Sequence, residues 1–129
     1  MNNIFVIDTY AWIEYLISSD SGESVKKIVE NTSNQIYTNI VTLSEVMSKV
    51  NRENMDVKIA FDAVTKTSMI FNIDNQFAFD VGALHAEQRR KIKDIGLADI
   101  FVLLTAKRLN ASIVTGDPHF KGFKNVVFI

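Results

Sequence analysis

A short apolar run, Ile4–Ile7, lies close to the start of the sequence and is followed by an aspartate, Asp8. An unbroken run of this kind, rich in β-branched residues, is typical of a strand buried on both faces, because a half-exposed strand alternates apolar and polar residues. Strands buried on both faces belong to parallel sheets that helices cover on each side. The first eight residues therefore favour an α/β fold.

Segments with strand and helix patterns alternate along the rest of the chain. We predict four further strands, over residues 35–38, 69–73, 112–114 and 126–128. We predict helices from residue 9, around 25–29, from about Thr42, and over 57–67, 76–93 and 97–109. This alternation predicts a three-layer α/β/α fold with a mostly parallel five-stranded sheet. At 129 residues and 47% hydrophobic content, we expect a single domain, residues 1–129.

Three details of the helix predictions are specific enough to check. The helix over residues 57–67 is predicted to place Ile59, Ala60, Ala63 and Val64 inward. The long helix over residues 76–93 is expected to end before Gly96. The helix over residues 97–109 is so apolar that the fold should nearly engulf it.

Composition restricts the chemistry and the location of the protein. The chain has no cysteine, which excludes thiolate metal sites and cysteine nucleophiles and leaves carboxylates and two histidines as metal ligands. No apolar run approaches the roughly 20 residues that cross a bilayer, and the N-terminus lacks the features of a signal peptide. We therefore expect a cytoplasmic protein without a membrane segment.

The net charge of −1 means that a nucleic-acid partner would need a local basic patch. The candidates for RNA binding are clustered near the end of the long predicted helix: Arg89, Arg90, Lys91 and Lys93. Further cations follow at Lys107, Arg108, Lys121 and Lys124. The ordinary alternative for the first group is a solvated last helical turn, where cations suit the helix dipole.

Four carboxylates each stand near a predicted helix start, and each has an ordinary structural explanation. Asp8 can cap the helix that begins at Thr9. Residues 42–45, Thr-Leu-Ser-Glu, match a capping box that ends at Glu45. Asp99 lies in a first turn, where the helix dipole favours an anion, and Asp117 precedes a proline. Taken singly, each acid is a helix cap.

Taken together, the acids suggest a metal site. The carboxyl ends of parallel strands and the starts of the following helices share one edge of the sheet, so Asp8, Glu45 and Asp117 should converge there. Asp99 joins them if its helix packs against that edge. Clustered carboxylates repel one another unless a cation offsets their charge, and hard divalent ions such as Mg²⁺ or Mn²⁺ prefer oxygen ligands. A site of this kind suits phosphodiester hydrolysis.

Other polar residues near the acids are given supporting or structural roles. Thr9 and Thr115 can hydrogen-bond the carboxylates. His119 is expected to be a solvent-facing turn residue, and His85 to be structural.

The ordered set of motifs resembles the PIN-domain family, and in its size the chain resembles the single-domain VapC-type toxin ribonucleases. The matching segments are residues 5–9 (FVIDT), 42–46 (TLSEV), 97–100 (LADI) and 113–117 (IVTGD). The resemblance implies cleavage of RNA that depends on Mg²⁺ or Mn²⁺, with Asp8 and Asp99 as the main metal ligands and Glu45 and Asp117 completing the acidic pocket. It also implies a homodimer and a cognate VapB-type antitoxin.

Two features depart from the family pattern. Tyr10 stands where members often carry a small hydroxyl residue, and Leu103 and Leu104 stand where small alanines are common. Tyr10 also argues against a haloacid-dehalogenase-like phosphatase, which needs an aspartate at that place. A receiver domain is also disfavoured, because the chain lacks the acidic pair and the lysine that such a domain needs.

The alternatives that remain are a PIN nuclease that processes RNA without being a toxin, and a catalytically weak relative that binds RNA or protein. Apolar residues around Met47, Met55 and Phe61 form either a dimer surface or part of the interior.

Overall fold

The sheet has five strands, and every neighbouring pair is parallel. In the computed structural model, which describes residues 2–129, the strands run in the order β3-β2-β1-β4-β5. Their bounds are β1 Ile4–Ile7, β2 Gln35–Asn39, β3 Met69–Phe71, β4 Ser112–Thr115 and β5 Val126–Phe128. The α/β prediction is confirmed, and the sheet is parallel throughout.

Across residues 2–129, six α-helices and one short 3₁₀ helix connect the strands. The α-helices are α1 Thr9–Leu16, α2 Asp20–Val29, α3 Ile40–Arg52, α4 Val57–Thr67, α5 Asn75–Arg89 and α6 Leu97–Leu109. The 3₁₀ helix covers Pro118–Phe120 and follows β4. Within the described chain, no helix is long and apolar enough to cross a membrane.

Two hydrophobic clusters lie on opposite faces of the sheet. Ile7 and Val114 join the cluster of α1 to α4, whereas their neighbours Val6 and Ile113 join the cluster of α5 and α6. Successive residues of a strand point to opposite faces, so the helices form two outer layers. Trp12 is fully buried in the first cluster, and Ile100 is fully buried in the second. This division confirms the predicted three-layer α/β/α arrangement.

Helix α3 begins at Ile40, two residues before the predicted start near Thr42. Its N-cap is Asn39, whose Oδ1 accepts a hydrogen bond from the backbone N of Val41 at 2.7 Å. The side-chain Nδ2 of Asn39 also donates to Thr105 Oγ1 of α6 at 2.9 Å, which ties β2 to that helix. Because Asn39 is the cap, Glu45 lies in the second turn of α3, and the predicted capping box ending there is not formed.

Helix α5 ends at Arg89, four residues before the predicted end at residue 93. The backbone N–H groups of Lys91 and Ile92 both donate to the carbonyl of Gln88, which turns the chain. That turn carries Ile95 into the core, where it is fully buried. His85 Nε2 lies 3.2 Å from the carbonyl of Ile95 and holds the turn, as its predicted structural role requires.

Burial along α4 and α6 refines two further predictions. On α4, Ala60 and Val64 are buried as predicted, but Ile59 is 67% exposed because it lies on the outer face. Helix α6 is buried from Val102 to Ala106, yet its first residue, Leu97, is exposed. Of the residues proposed for either the interior or a dimer surface, Met47 and Met55 pack against the core, whereas Phe61 is exposed.

Candidate active site

The four predicted carboxylates meet at the carboxyl edge of the sheet. Asp8 follows β1, Glu45 projects from α3, Asp99 lies in the first turn of α6, and Asp117 follows β4. All four line a single cavity of about 130 Å³, together with Thr9, Tyr10, Ala98 and Val102. Helix α6 therefore packs against this edge, which was the condition for Asp99 to join the group.

Asp8 is the most deeply buried of the four, with 5% of its surface exposed. Its Oδ1 caps α1 by accepting from the backbone N of Ala11 at 2.9 Å, and its Oδ2 accepts from Thr115 Oγ1. The pKa of Asp8 is raised to about 7, because burial, together with the negative charges of Asp117 and Asp99, outweighs the two hydrogen bonds that lower it. Asp8 is thus both a helix cap and a buried carboxylate whose ionisation is disfavoured.

Asp99 likewise combines a helix cap with a place in the acidic cavity. Its Oδ2 accepts from the backbone N of Gly96 at 3.0 Å, which satisfies one of the free amides at the start of α6. Burial raises the pKa of Asp99, and the charges of Asp117 and Glu45 add to the effect. Asp99 is therefore a helix cap, as its position in the sequence predicts, and it is also a member of the acidic cluster.

His119 lies against two of the carboxylates, contrary to its predicted position facing solvent. Its Nδ1 is 3.2 Å from Asp117 Oδ1 and 3.4 Å from Asp99 Oδ2. This nitrogen is buried, and no hydrogen-bond partner is found for it among residues 2–129. The cause is local, because Pro118 starts the 3₁₀ helix and the backbone N of His119 donates to Asp117 Oδ1 at 2.9 Å. That turn folds the imidazole back onto the acids.

Two threonines hold the carboxylates in place. Thr115 Oγ1 donates to Asp8 Oδ2 and accepts from the backbone N of Asp117 at 2.9 Å. Thr9 Oγ1 donates to Glu45 Oε1 at 2.7 Å. Glu45 itself is exposed to solvent, so its second oxygen is free for other contacts.

His119 is the one basic side chain found against these carboxylates among residues 2–129. Within the described residues, no lysine or arginine forms an ion pair with any of the four carboxylates. One ligand atom each from Asp99, Asp117 and His119 lies within 4.8 Å of the other two. Carboxylate oxygens with an unpartnered imidazole nitrogen fit a divalent cation, and the nitrogen suits Mn²⁺ better than Mg²⁺.

Tyr10 stands at the mouth of the cavity with 46% of its surface exposed. Its ring packs on Gly116, where an added Cβ would lie 2.2 Å from Tyr10 Cε1. The glycine is therefore needed for this close approach. The predicted RNA-binding residues Arg89, Arg90, Lys91 and Lys93 are exposed around the end of α5, and none of them lines the acidic cavity.

Comparison with known proteins supports one family. The model of the PIN domain family matches residues 5–126. Similar solved structures include a toxin-antitoxin complex from Klebsiella pneumoniae (26% identity, 95% of this chain and 94% of that one, TM-score 0.69). No curated protein sequence matches significantly.

Two further structures share the fold at lower identity. VapBC2 from Rickettsia felis, bound to a DNA fragment from its promoter, is 21% identical over 98% of this chain and 97% of that one, with a TM-score of 0.71. The Mycobacterium tuberculosis VapC20, a Sarcin-Ricin loop cleaving toxin, is 13% identical over 95% of this chain and 98% of that one, with a TM-score of 0.75. The family match, the parallel sheet and the converging acids agree: the chain belongs to the PIN-domain family.

Proposed function

We propose that this protein is a metal-dependent endoribonuclease and the toxin of a VapBC toxin-antitoxin pair. The observation that carries the proposal is the convergence of four carboxylates in one cavity where no lysine or arginine among the described residues is paired with them. Such an arrangement is electrostatically unfavourable without a cation, and burial of Asp8 adds to that cost. The PIN family match supports nuclease chemistry.

Asp8 and Asp99 would be the main ligands of Mg²⁺ or Mn²⁺, with Asp117 beside them. We add His119 to this set, because its buried Nδ1 has no partner in the described chain and faces Asp99 and Asp117. When bound, the cation would polarise the phosphate and favour ionisation of a water molecule. The protein's contribution is to hold the ligands at fixed positions.

Each site residue has a distinct task in this proposal. Thr115 orients Asp8 through its hydroxyl, and the backbone of α1 holds the other oxygen of that carboxylate. Glu45, held by Thr9 through Oε1, has an exposed second oxygen that can accept a proton from the attacking water. Tyr10 at the mouth restricts which nucleotides reach the acids.

The assignment as a toxin is supported by the similar structures, which include a toxin-antitoxin complex and two Vap proteins. We propose a cognate VapB-type antitoxin, a homodimer and a cytoplasmic location, with residues 1–129 forming one PIN domain. The exposed Phe61 of α4 is a candidate contact for the dimer.

The first test is cleavage of RNA by the purified protein in Mg²⁺, in Mn²⁺ and in EDTA. Asp99→Asn is compared with Asp94→Asn, which changes an exposed aspartate outside the cavity. We expect cleavage by the parent and by Asp94→Asn only with metal, and none by Asp99→Asn. Cleavage that persists in EDTA, or in Asp99→Asn at the parent's rate, would contradict the proposal.

A second test separates a toxin from a nuclease that processes RNA. Expression of the chain should arrest growth, and co-expression of the small protein encoded beside it should restore growth. Normal growth together with metal-dependent cleavage in vitro would favour the processing nuclease.

A further inference from the structure

Two cavities outside the acidic site share a wall and form one groove along α5 and α6. The larger, of about 470 Å³, lies between α6 and the segment that leads into β5, and the smaller, of about 270 Å³, lies beside the end of α5. Gln88, Gly122 and Phe123 line both cavities. We call this combined feature the lysine groove.

The lysine groove has four cations and no anion along its walls. Lys91 and Lys121 line the smaller cavity, and Lys107 and Lys124 line the larger one. No aspartate or glutamate from residues 2–129 lines either cavity, and none of the four lysines is in an ion pair within that range. The four lysines come from three separate parts of the sequence, and the fold brings them close together. The groove therefore attracts a polyanion although the net charge of the protein is −1.

Gln88 adds a polar group that the protein does not use itself. The residue is 9% exposed, and its side-chain amide has no hydrogen-bond partner among the described residues although it lines both cavities. An amide offers two donors and one acceptor, which matches the edge of a nucleic-acid base.

Phe123 and Gly122 complete the shared wall. Phe123 is partly buried and supplies an aromatic surface to both cavities. Gly122 has a φ of +92°, and an added Cβ there would meet nothing within 4 Å, so the absent side chain leaves the groove open. Lysines, an aromatic ring and an unpartnered amide are the groups that bind single-stranded nucleic acids.

We propose that the lysine groove binds a single-stranded segment of the RNA substrate outside the acidic cavity. The inference rests on the proposed function, because the segment from Asp117 to Lys121 joins the two sites directly: Asp117 lines the acidic cavity, and Lys121 lines the groove. The four lysines contact phosphates, Gln88 hydrogen-bonds a base, and Phe123 stacks on one. The groove then determines where along an RNA strand the acidic site can cut.

The test measures binding of a short fluorescent single-stranded RNA to the full chain in EDTA, where cleavage is absent. Lys121→Gln combined with Lys124→Gln is compared with Lys26→Gln combined with Lys27→Gln, which removes two exposed cations from α2. We expect the groove pair to weaken binding about tenfold more than the control pair. The slope of log affinity against log salt should become shallower by about 1.4 for two phosphate contacts on a single strand.

Gln88→Leu tests the base contact, with its fold checked by circular dichroism. We expect weaker binding and an unchanged salt slope, because a neutral contact releases no counterions. Equal losses in the groove and control pairs would overturn the proposal, as would displacement of RNA by polyglutamate as readily as by unlabelled RNA.

Cleavage assays keep this inference separate from the proposed function. If RNA binding depends on the groove lysines but no metal condition gives cleavage, the proposal that the groove binds RNA is supported. The proposal that the protein is a nuclease is then rejected. If the groove pair binds and cleaves RNA as the parent does, the groove is rejected and the nuclease stands.

Discussion

The acidic cavity and the lysine groove carry opposite charge and are held by the fold in different ways. Three of the four acids are fixed by backbone amides at the start of a helix or turn: Asp8, Asp99 and Asp117. Lys91 follows the end of α5, Lys107 lies in the last turn of α6, and the other two lysines lie in the segment before β5. None of the four has an ion-pair partner among the described residues.

The contrast fits the two proposed functions, metal binding and RNA binding, which need different precision. Ligands of a metal ion must be placed within a few tenths of an ångström, which caps and threonine hydrogen bonds achieve. Contacts to phosphates tolerate movement, because the attraction is electrostatic and a lysine is a flexible point charge. Substitutions in the acidic cavity should therefore have large and specific effects, and substitutions of basic residues should have small and additive effects.

The largest effect is expected for Asp8→Asn, which should abolish cleavage and also stabilise the metal-free protein. Removal of a ligand charge should lower the rate by about 1000-fold or more, because bound metal supplies several kcal/mol of transition-state stabilisation. In EDTA, native Asp8 has a pKa of about 7, whereas the ordinary pKa of an aspartate is 3.8. The native state thus holds the proton more tightly, and stability is lost as pH rises from about 4 to about 7.

Urea unfolding in EDTA at about pH 5 and about pH 8 measures this linkage. The parent should be less stable at the higher pH by at most about 3 kcal/mol, because about two pH units separate pH 5 from the native pKa, and Asp8→Asn should lose most of that dependence. An Asp8→Asn protein that is less stable than the parent at the higher pH would show that the cap matters more than the buried charge.

Thr115→Val should reduce cleavage by about 10- to 100-fold, the range for residues that orient a metal ligand. The change removes the hydroxyl that donates to Asp8 and accepts from the backbone of Asp117, and it keeps the shape of the side chain. Thr115→Ser retains the hydroxyl and should retain most of the activity. Equal losses in the two variants would assign the effect to packing in β4.

His119→Gln should weaken Mn²⁺ binding by about tenfold and leave Mg²⁺ binding nearly unchanged, because an imidazole nitrogen favours the softer ion. Isothermal titration calorimetry with each metal measures the difference. Similar losses for both ions would mean that His119 supports the acids without being a ligand.

The smallest effect is expected for combined glutamine substitutions at Arg89, Arg90 and Lys93. These side chains are exposed, and none of them lines the lysine groove, unlike their neighbour Lys91. We expect RNA affinity to fall only about twofold to threefold, through the general electrostatic field. A loss of affinity as large as that of the groove pair would indicate that RNA binds at the end of α5 and not in the lysine groove.

The sequence predicted the sheet well because most strands contain a short apolar run bounded by polar residues, and alternation with helices restricts the topology. The positions of the acids followed from the same topology, since strand ends share one edge. Features that depend on tertiary contacts were missed. The early end of α5 follows from burial of Ile95, and the start of α3 follows from the cap at Asn39.

The position of His119 beside the acids and the assembly of the four lysines into one groove were missed for related reasons. Residue 119 reaches the acids through a single 3₁₀ turn, and the proline before it was the signal that such a turn begins. The four groove lysines are spread from residue 91 to residue 124. Only the packing of α5 and α6 against the segment before β5 brings them together.

The contact between Tyr10 and Gly116 has a consequence for how related sequences diverge. Because the tyrosine ring occupies the space into which a side chain at position 116 would extend, a larger residue there requires a smaller one at position 10. The two positions should therefore covary among relatives, with tyrosine accompanied by glycine. Relatives with other residues at positions 10 and 116 would therefore have a different entrance to the acidic cavity and the same four carboxylates.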